Sequence, residues 1–185
     1  RDVLLERGVD PARIRVCGAP RFDATWVRAA KARAQTRERS GHFVVLVTPT
    51  LHDTERMLRF VAATLVGLQE TRLLVKIHPK APLRRIPEII RDIESETPGA
   101  GSMLEIVTDR NVYACLEEAD LLVATYSSVA VEALAFGLPV IVVQSGRRPN
   151  MSPISATVGT VSTARQLRDM VGSLRDDSTQ GQQLH

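Results

Sequence analysis

The chain has 185 residues, 44% of them hydrophobic and 24% charged, with a formal net charge of +3 at pH 7. This composition is that of an ordinary globular protein with one well-buried domain, and no apolar run approaches the ~20 residues of a transmembrane helix. Aromatic residues make up only 4% of the sequence and are not interleaved with the basic ones, which argues against nucleic acid as a partner.

The first 41 residues are predicted to form a connecting segment ahead of the main domain. The run "RDVLLERGVD" predicts a helix, and because the chain begins within that helix and without Met, we expect it to be a piece of a longer protein. A strand-like piece, "RIRVCGAPRFDATW", and a basic helix that ends near Glu38 follow. Ser40 and Gly41 then break the pattern, so we assign residues 1–41 to a linker made of a strand and a basic helix.

Strands and helices alternate from residue 42 to residue 176. The predicted strands are apolar runs typical of strands buried on both faces: 43–48, 72–77, 104–107, 120–125 and 139–143, with a sixth within 155–162. The predicted helices are 54–70, 83–96, 112–119, 128–136 and 164–175. Since this alternation implies right-handed crossovers, we predict an α/β, Rossmann-like doubly wound parallel sheet of about six strands with helices on both faces.

The end of the chain, "DDSTQGQQLH", offers only Leu184 for burial. A segment so poor in apolar residues cannot bury enough surface to offset the entropy lost on ordering. We therefore expect residues 177–185 to be a disordered tail.

Polar residues follow each of the first four predicted strands. They are "TPTLHD" (48–53), "KIHPK" (76–80), "TDRN" (108–111) and "TYSS" (125–128). In the common strand order 3-2-1-4-5-6, ligands bind in the crevice at the carboxyl ends of strands 1 and 4. If the chain has that order, these polar residues meet at one place and form a binding site.

The helix after "TYSS" carries the most specific signal for a ligand. Ser127 and Ser128 are predicted to cap it, and a helix N-terminus offers free backbone N–H groups and a partial positive charge that suit a phosphate or diphosphate. Glu132 follows Ser128 by one turn, where its carboxylate could accept two hydrogen bonds from a ribose diol. Serine caps and glutamates near a helix start also occur without any ligand. The rest of this helix is apolar, however, so a single carboxylate in it is best explained if that carboxylate faces a cleft.

Metal and thiol chemistry have little support in the sequence. Cys17 and Cys115 lie in different settings without a CxxC or Cys/His spacing, and the four histidines form no ligand pattern. We expect neither a metal nor a cofactor.

Two segments, "KIHPK" and "ADLLVATYSSVAVEALAFGLPVIVV", resemble the C-terminal, donor-binding half of GT-B glycosyltransferases. Within them the chain looks most like bacterial capsule polysaccharide transferases and CDP-glycerol glycerophosphotransferases. "GAPRFD" (18–23) is similar to the Gly-Asn-Pro-x-x-Asp element that joins the two halves of that fold, with Ala19 in place of Asn. The first strand and helix also resemble UDP-N-acetylglucosamine 2-epimerases, which share the architecture. The resemblance covers about residues 13–144.

The resemblance implies a role for each matching residue. His78 approaches the phosphate of the donor, Ser127 and Ser128 bind phosphate, and Glu132 binds ribose. The glycerophosphotransferases usually carry Asp at the last position, so Glu132 favours a sugar nucleotide. "YSS" replaces the Ser-Gly-Gly of the epimerases and disfavours an epimerase. Because GT-B enzymes generally work without a bound metal, helix dipoles and N–H or cationic donors stabilise the leaving phosphate.

His78 is the catalytic candidate, as a hydrogen-bond donor to the leaving phosphate, although a histidine before Pro79 is also typical of a turn. Asp53 is expected to be a simple helix cap, and Asn111 is expected near the base. The further donor-binding candidates are Thr48, Thr50, Lys76, Asn111, Tyr126 and Arg147.

The function implied is that of the donor-binding half of a glycosyltransferase or glycerophosphotransferase in bacterial surface polysaccharide synthesis. Its partners would be a nucleotide-sugar donor, a saccharide or lipid-linked acceptor, and an N-terminal domain without which we expect no turnover. We expect a cytoplasmic location, with peripheral attachment at the inner face of the membrane as an alternative. The alternative functions are a non-hydrolysing UDP-N-acetylglucosamine 2-epimerase and a nucleotide-binding or interaction module without catalysis.

Overall fold

The computed structural model describes residues 2–17, 22–23, 27–28, 32, 41–144 and 158–183. Its strands are β1 (Phe43–Thr48), β2 (Thr71–Lys76), β3 (Leu104–Val107), β4 (Leu121–Ala124), β5 (Val140–Val143) and β6 (Gly159–Val161). They form one six-stranded parallel sheet in the order β3-β2-β1-β4-β5-β6. The predicted fold class and strand order are therefore confirmed.

The helices are α1 (Asp2–Glu6), α2 (Thr54–Leu65), α3 (Ile86–Glu96), α4 (Val112–Glu118), α5 (Val129–Phe136) and α6 (Ala164–Gln183), with 3-10 turns at Pro11–Arg13 and Leu83–Arg85. Helices α2 to α6 cover both faces of the sheet. The core on one face contains residues of α2, α3 and α6, and the core on the other contains residues of α4 and α5. None of the described helices is both long and apolar enough to cross a membrane.

Strand β1 shows why the sequence forms this sheet. All six of its residues are buried. Val45 and Val47 belong to the core on the α2 face, whereas Val44 and Leu46 belong to the core on the α5 face. Because successive side chains of a strand point to opposite faces, a strand covered on both sides needs apolar residues throughout.

Helix α6 is held at its start and along its side. Thr163 and Gln166 form a capping box, in which Gln166 Oε1 accepts from the Thr163 N–H at 3.2 Å and the Gln166 N–H donates to Thr163 Oγ1 at 3.3 Å. Arg168 donates to the carbonyl oxygen of Thr64 at 2.6 Å, near the C-terminus of α2, where a cation is favoured. These contacts fix α6 against α2 beside the end of β6.

Two helix ends differ from the predictions. Helix α2 ends at Leu65 rather than at residue 70, because Gly67 and Glu70 adopt positive φ angles of 79° and 55° that a right-handed helix excludes. Helix α6 continues to Gln183, which corrects the predicted disorder for residues 177–183. Once a helix has nucleated, glutamine, serine and threonine extend it at small cost per residue, so a lack of apolar residues does not end it.

The segment before the sheet is described in part. Helix α1 confirms the helix predicted at the start of the chain. The predicted strand is wrong for residues 14–17, which pair with no strand in the described part of the chain and leave Val16 78% exposed. Residues 18–21 and most of the predicted basic helix fall outside the described residues. Within that predicted helix, residues 27, 28 and 32 are described, and they are helical.

Candidate functional site

All strands of the parallel sheet end at the same edge. There β1 lies beside β4, with Thr48 paired to Ala124, although β2 and β3 intervene in sequence and lie on the far side of β1. This reversal of direction opens a crevice at the carboxyl ends of the two strands, which is where open α/β sheets bind ligands. The loops 49–53, 77–80, 108–111 and 125–128 all follow strands at this edge, as the sequence predicted.

Ser127 and Ser128 precede α5, and both were predicted to cap it, but only the Ser127 side chain accepts a hydrogen bond from the helix. Ser127 Oγ accepts a hydrogen bond from the Val129 N–H at 3.3 Å. Ser128 holds the N-cap position with helical angles (φ −62°, ψ −22°) and makes no side-chain cap bond. The predicted cap is therefore wrong for Ser128, since a capping side chain normally requires a non-helical backbone. The exposed Ser128 hydroxyl and the backbone N–H groups of both serines make no hydrogen bond within the described part of the chain.

Glu132 lies in the first turn of α5 and is only 5% exposed. The other buried polar residues of the described segments are threonines, so Glu132 is their one buried charged residue. A carboxylate is costly to bury, and the positive end of the helix dipole reduces that cost. Its burial excludes a solvated surface charge.

His78 follows β2 and forms part of a tight turn. Its Nδ1 accepts a hydrogen bond from the Lys80 N–H at 3.1 Å, and its carbonyl oxygen accepts from the Ala81 N–H at 2.8 Å. A neutral imidazole whose Nδ1 accepts carries its proton on Nε2. The prediction that His78 belongs to a turn is therefore correct. The half-buried ring keeps its Nε2–H as a hydrogen-bond donor.

Thr50 and Asp53 close the loop after β1. Asp53 Oδ1 accepts from the Thr50 N–H at 2.8 Å and from Thr50 Oγ1 at 2.7 Å. Asp53 stands at the N-cap of α2 but makes no side-chain cap bond, so the prediction of a simple cap is wrong. The Asp53 side chain instead accepts hydrogen bonds from Thr50, so the hydroxyl proton of Thr50 is already donated within the chain.

Two buried threonine hydroxyls at this edge have no partner among the residues that the structure describes. Thr48 (4% exposed) ends β1 and Thr125 (2% exposed) follows β4, and the Oγ1 of each is unpaired within the described part of the chain, as is Asp53 Oδ2. Leaving such a group buried and unpaired costs about 1–3 kcal/mol. Thr48 was a candidate from the sequence, but Thr125 was not. The signal that could have identified Thr125 is a hydroxyl residue directly after an apolar strand.

The remaining candidates differ in how far they are engaged. Lys76 Nζ donates to a backbone carbonyl of the loop after β3 at 3.4 Å. Asn111 is the N-cap of α4, and its Oδ1 accepts from the Ala114 N–H at 2.9 Å. Tyr126 is 43% exposed beside the serines. Arg147 falls outside the described residues.

The described residues contain no group of three or more His, Cys, Asp or Glu side chains that could hold a metal ion. Cys17 is exposed, whereas Cys115 is buried in α4. Burial raises the pKa of the Cys115 thiol, which keeps it protonated and unreactive.

Comparison with protein families gives one match that covers almost the whole chain. A model described as UDP-N-acetylglucosamine 2-epimerase matches residues 1–183. No curated protein matches the chain.

Solved structures share the fold at low sequence identity. The UDP-GlcNAc 2-epimerase from Neisseria meningitidis bound to UDP-GlcNAc has a TM-score of 0.66 at 14% identity, over 95% of this chain and 50% of that one. MnaA from S. aureus in complex with UDP has a TM-score of 0.62 at 17% identity, over 96% and 49%. The C-terminal domain of a group 1 glycosyl transferase (LpcC) from Francisella tularensis has a TM-score of 0.55 at 15% identity, over 81% and 84%. The chain thus spans about half the length of the first two structures.

Proposed function

We propose a function from one premise: the chain belongs to the UDP-N-acetylglucosamine 2-epimerase family, whose model covers residues 1–183. Its Rossmann-like fold is the one found in glycosyltransferases and epimerases of the GT-B type. On this premise the chain is the nucleotide-binding half of an enzyme that acts on a nucleotide-activated sugar. Two of the matching structures contain UDP or UDP-GlcNAc, which makes uridine nucleotides the first probes.

The observation that carries the proposal is the start of α5. The backbone N–H groups of Ser127 and Ser128 and the Ser128 hydroxyl are uncommitted within the described residues, and they stand at the positive end of a helix dipole. Helix N-termini of this kind bind phosphate groups. A diphosphate supplies the negative charge and the acceptor oxygens that match these donors.

His78 adds a donor from the loop after β2. Its Nε2–H can donate to a phosphate oxygen because Nδ1 is occupied by the Lys80 N–H. When the bond between sugar and phosphate breaks, negative charge grows on the leaving diphosphate, and a donor aimed at that charge lowers the barrier. His78 is therefore the proposed catalytic residue, and Lys76 adds positive charge from the end of the same strand.

Glu132 is proposed to bind the ribose of the nucleotide. It lies one turn along α5 from Ser128, so a ligand whose phosphate rests on the helix start has its ribose within reach of this carboxylate. A carboxylate can accept hydrogen bonds from both hydroxyls of a diol.

Two reactions fit such a binding site. Family membership favours epimerisation of UDP-GlcNAc. The Tyr126-Ser127-Ser128 turn favours glycosyl transfer, because Ser128 adopts ordinary helical angles and the turn contains no glycine pair of the kind seen in epimerases. The narrower assignment to bacterial surface polysaccharide synthesis, with a saccharide or lipid-linked acceptor, rests on the same motif.

Calorimetric titration with UDP, CDP, GDP and CMP tests the binding proposal. We expect one nucleotide to bind selectively and Glu132→Gln to weaken it about tenfold or more, because a hydrogen bond to a charged group contributes ~1.5–3 kcal/mol. Glu88→Gln, which changes an exposed glutamate on α3, is the matched control. If the whole protein binds none of the four nucleotides at millimolar concentration, the proposal is wrong.

The reaction itself is tested with the whole protein and UDP-GlcNAc in the absence of any acceptor. An epimerase interconverts this substrate and its manno epimer. A transferase leaves the substrate unchanged until a saccharide or lipid-linked acceptor is added. The two candidate reactions therefore give opposite results in the first incubation.

A further inference from the structure

The segment 79–91, which follows β2 and continues into α3, is the most basic surface of the described domain. Its four basic residues and one acidic residue give it a net charge of +3, equal to that of the whole chain, so the remaining residues balance to zero. All five of these charged residues are exposed. Positive charge that is concentrated on one surface attracts an anionic partner.

One of the four cations is compensated within the protein. The Arg85 guanidinium lies 3.6 Å from a carboxylate oxygen of Glu55 and 3.8 Å from one of Glu88, so the acidic residue of the segment is also taken up by this contact. The other three cations make no ion pair among the described residues. They are Lys80, Arg84 and Arg91. Their charge is therefore available to a partner.

Leu83 lies at the surface among these cations. It is 45% exposed and begins the 3-10 turn that follows Pro82. A loose segment does not explain this exposure, because Ala81 and Ile86 on either side are 7% and 5% exposed and belong to the core. Pro82 also fixes its own backbone angle φ. The fold therefore holds a leucine at the surface beside basic side chains.

An anionic membrane surface fits this combination of groups. Its headgroups attract lysine and arginine, and the boundary between headgroups and acyl chains accepts an aliphatic side chain. Long basic side chains can follow a leucine to this depth and keep their charges in the headgroup layer. Nucleic acid fits less well, because segment 79–91 contains no aromatic residue on which a base could stack.

We propose that Lys80, Leu83, Arg84 and Arg91 form a docking surface for anionic phospholipid headgroups. The inference goes beyond the proposed function and does not rest on it, because none of these residues belongs to the nucleotide site. Segment 79–91 begins at the sheet edge where the crevice lies, so docking holds the crevice close to the lipid surface. A lipid-linked acceptor is found at that surface, whereas epimerisation of UDP-GlcNAc has a water-soluble substrate and product.

Vesicle sedimentation of the whole protein tests the docking surface. Vesicles of phosphatidylcholine and phosphatidylglycerol in equal amounts should bind the protein at low salt, and vesicles of phosphatidylcholine alone should not. Binding should weaken as salt rises, because the Debye length falls from ~30 Å at 0.01 M to ~10 Å at 0.1 M. Inorganic phosphate should compete no better than sodium chloride of the same ionic strength. If phosphate competes better, the surface binds a single phosphate group and is not a membrane site.

Variants separate the two kinds of contact. Lys80→Gln, Arg84→Gln and Arg91→Gln should each lower the vesicle partition coefficient about fivefold, the effect of ~1 kcal/mol for one cation near an anionic surface. This effect should shrink as salt rises. Leu83→Ala should also lower the coefficient about fivefold, because half of a leucine side chain is removed from water on docking. Its effect should not depend on salt, since apolar burial is not screened.

Arg165→Gln is the matched control, because Arg165 is an exposed cation on α6, which follows the far strand β6. It changes the net charge equally and should leave vesicle binding unchanged. If the mixed vesicles do not bind the protein, or if Arg165→Gln weakens binding as much as Arg84→Gln, the inference is wrong. Titration with UDP keeps the two proposals apart: Arg84→Gln should bind UDP as the unaltered protein does, and a protein that binds vesicles but no nucleotide contradicts only the proposed function.

Discussion

The two edges of the sheet treat their polar groups in opposite ways. At the amino edge, the Glu94 carboxylate of α3 accepts three backbone hydrogen bonds, of 2.7, 2.9 and 3.1 Å, from the loop before β3. At the carboxyl edge, the hydroxyls of Thr48 and Thr125 are buried without a partner in the described chain. In the loop before β3, the backbone N–H groups of Gly99, Gly101 and Ser102 are hydrogen-bonded within the protein. Hydroxyls that stay unpaired at the carboxyl edge are available to the proposed ligand.

The largest expected effect on stability is at the amino edge. In Gly101→Ala the new Cβ would lie 2.8 Å from both Glu94 Cβ and the carbonyl oxygen of Ile90, and a backbone atom cannot move aside easily. We expect urea denaturation to show a loss of ~1–3 kcal/mol in the free energy of unfolding. Gly172→Ala, where no atom lies within 4 Å, is the control and should not destabilise. An equal loss in both variants would contradict the proposed contact.

Asn111→Ala tests a residue of the carboxyl edge whose side chain the fold already uses. Because Oδ1 caps α4, its removal should lower the free energy of unfolding by ~0.5–2 kcal/mol, measured by the same denaturation. The loss in stability should exceed any loss in nucleotide affinity. The opposite result, weaker binding at unchanged stability, would make Asn111 a ligand contact rather than a cap.

The unpaired threonines should behave differently from a paired one. Thr48→Val and Thr125→Val should leave the free energy of unfolding unchanged or raise it by up to ~1 kcal/mol, since each removes a buried hydroxyl that has no partner among the described residues. Thr64→Val is the matched control, because its hydroxyl donates to the Phe60 carbonyl at 2.6 Å and its removal should destabilise the chain. Destabilisation by Thr125→Val of the same size would show that its hydroxyl has a partner within the chain.

The smallest effect concerns pH and the half-buried Glu94. Hydrogen bonds from the backbone, that of Gly99 above all and then that of Ser102, hold the pKa of this carboxyl below its ordinary value. Its contribution to stability is therefore present above the ordinary pKa and is lost as the pH falls through the lowered pKa of the folded state. Thermal unfolding of Glu94→Gln, compared with Glu88→Gln from neutral to acid pH, should show less acid-induced loss. An unchanged acid dependence would mean that these hydrogen bonds do not act on the carboxylate.

Much of the fold follows from the sequence because buried parallel strands need apolar residues at every position. The predicted bounds of β1 and β3 agree with the structure, and the strand order places the polar loops at one edge. The ends of α2 and α6 were less predictable. A positive φ at Glu70 leaves no sequence signal, and the continuation of α6 depends on a helix already nucleated by its packing.

The sequence predicted which polar loops meet at the carboxyl edge but not the contacts within them. Residue type and spacing indicated the serines and Glu132, and the resemblance to GT-B enzymes indicated His78, so their roles stay predictions. It could not show that Asp53 turns back to Thr50 rather than capping α2, since both arrangements suit aspartate. Nor could it show that the hydroxyl of Thr125 would be left unpaired, because that depends on which groups the tertiary fold brings near it.

The most direct test of the central claim is a backbone amide NMR titration of the chain with UDP. The proposed diphosphate site predicts that the amide signals of Ser127 and Ser128 shift with increasing UDP. The amides of Gly99 and Gly101, already bonded to Glu94, should stay in place. If the serine amides do not move while UDP binds elsewhere, or if UDP does not bind at all, the start of α5 is not the phosphate site and the account is wrong.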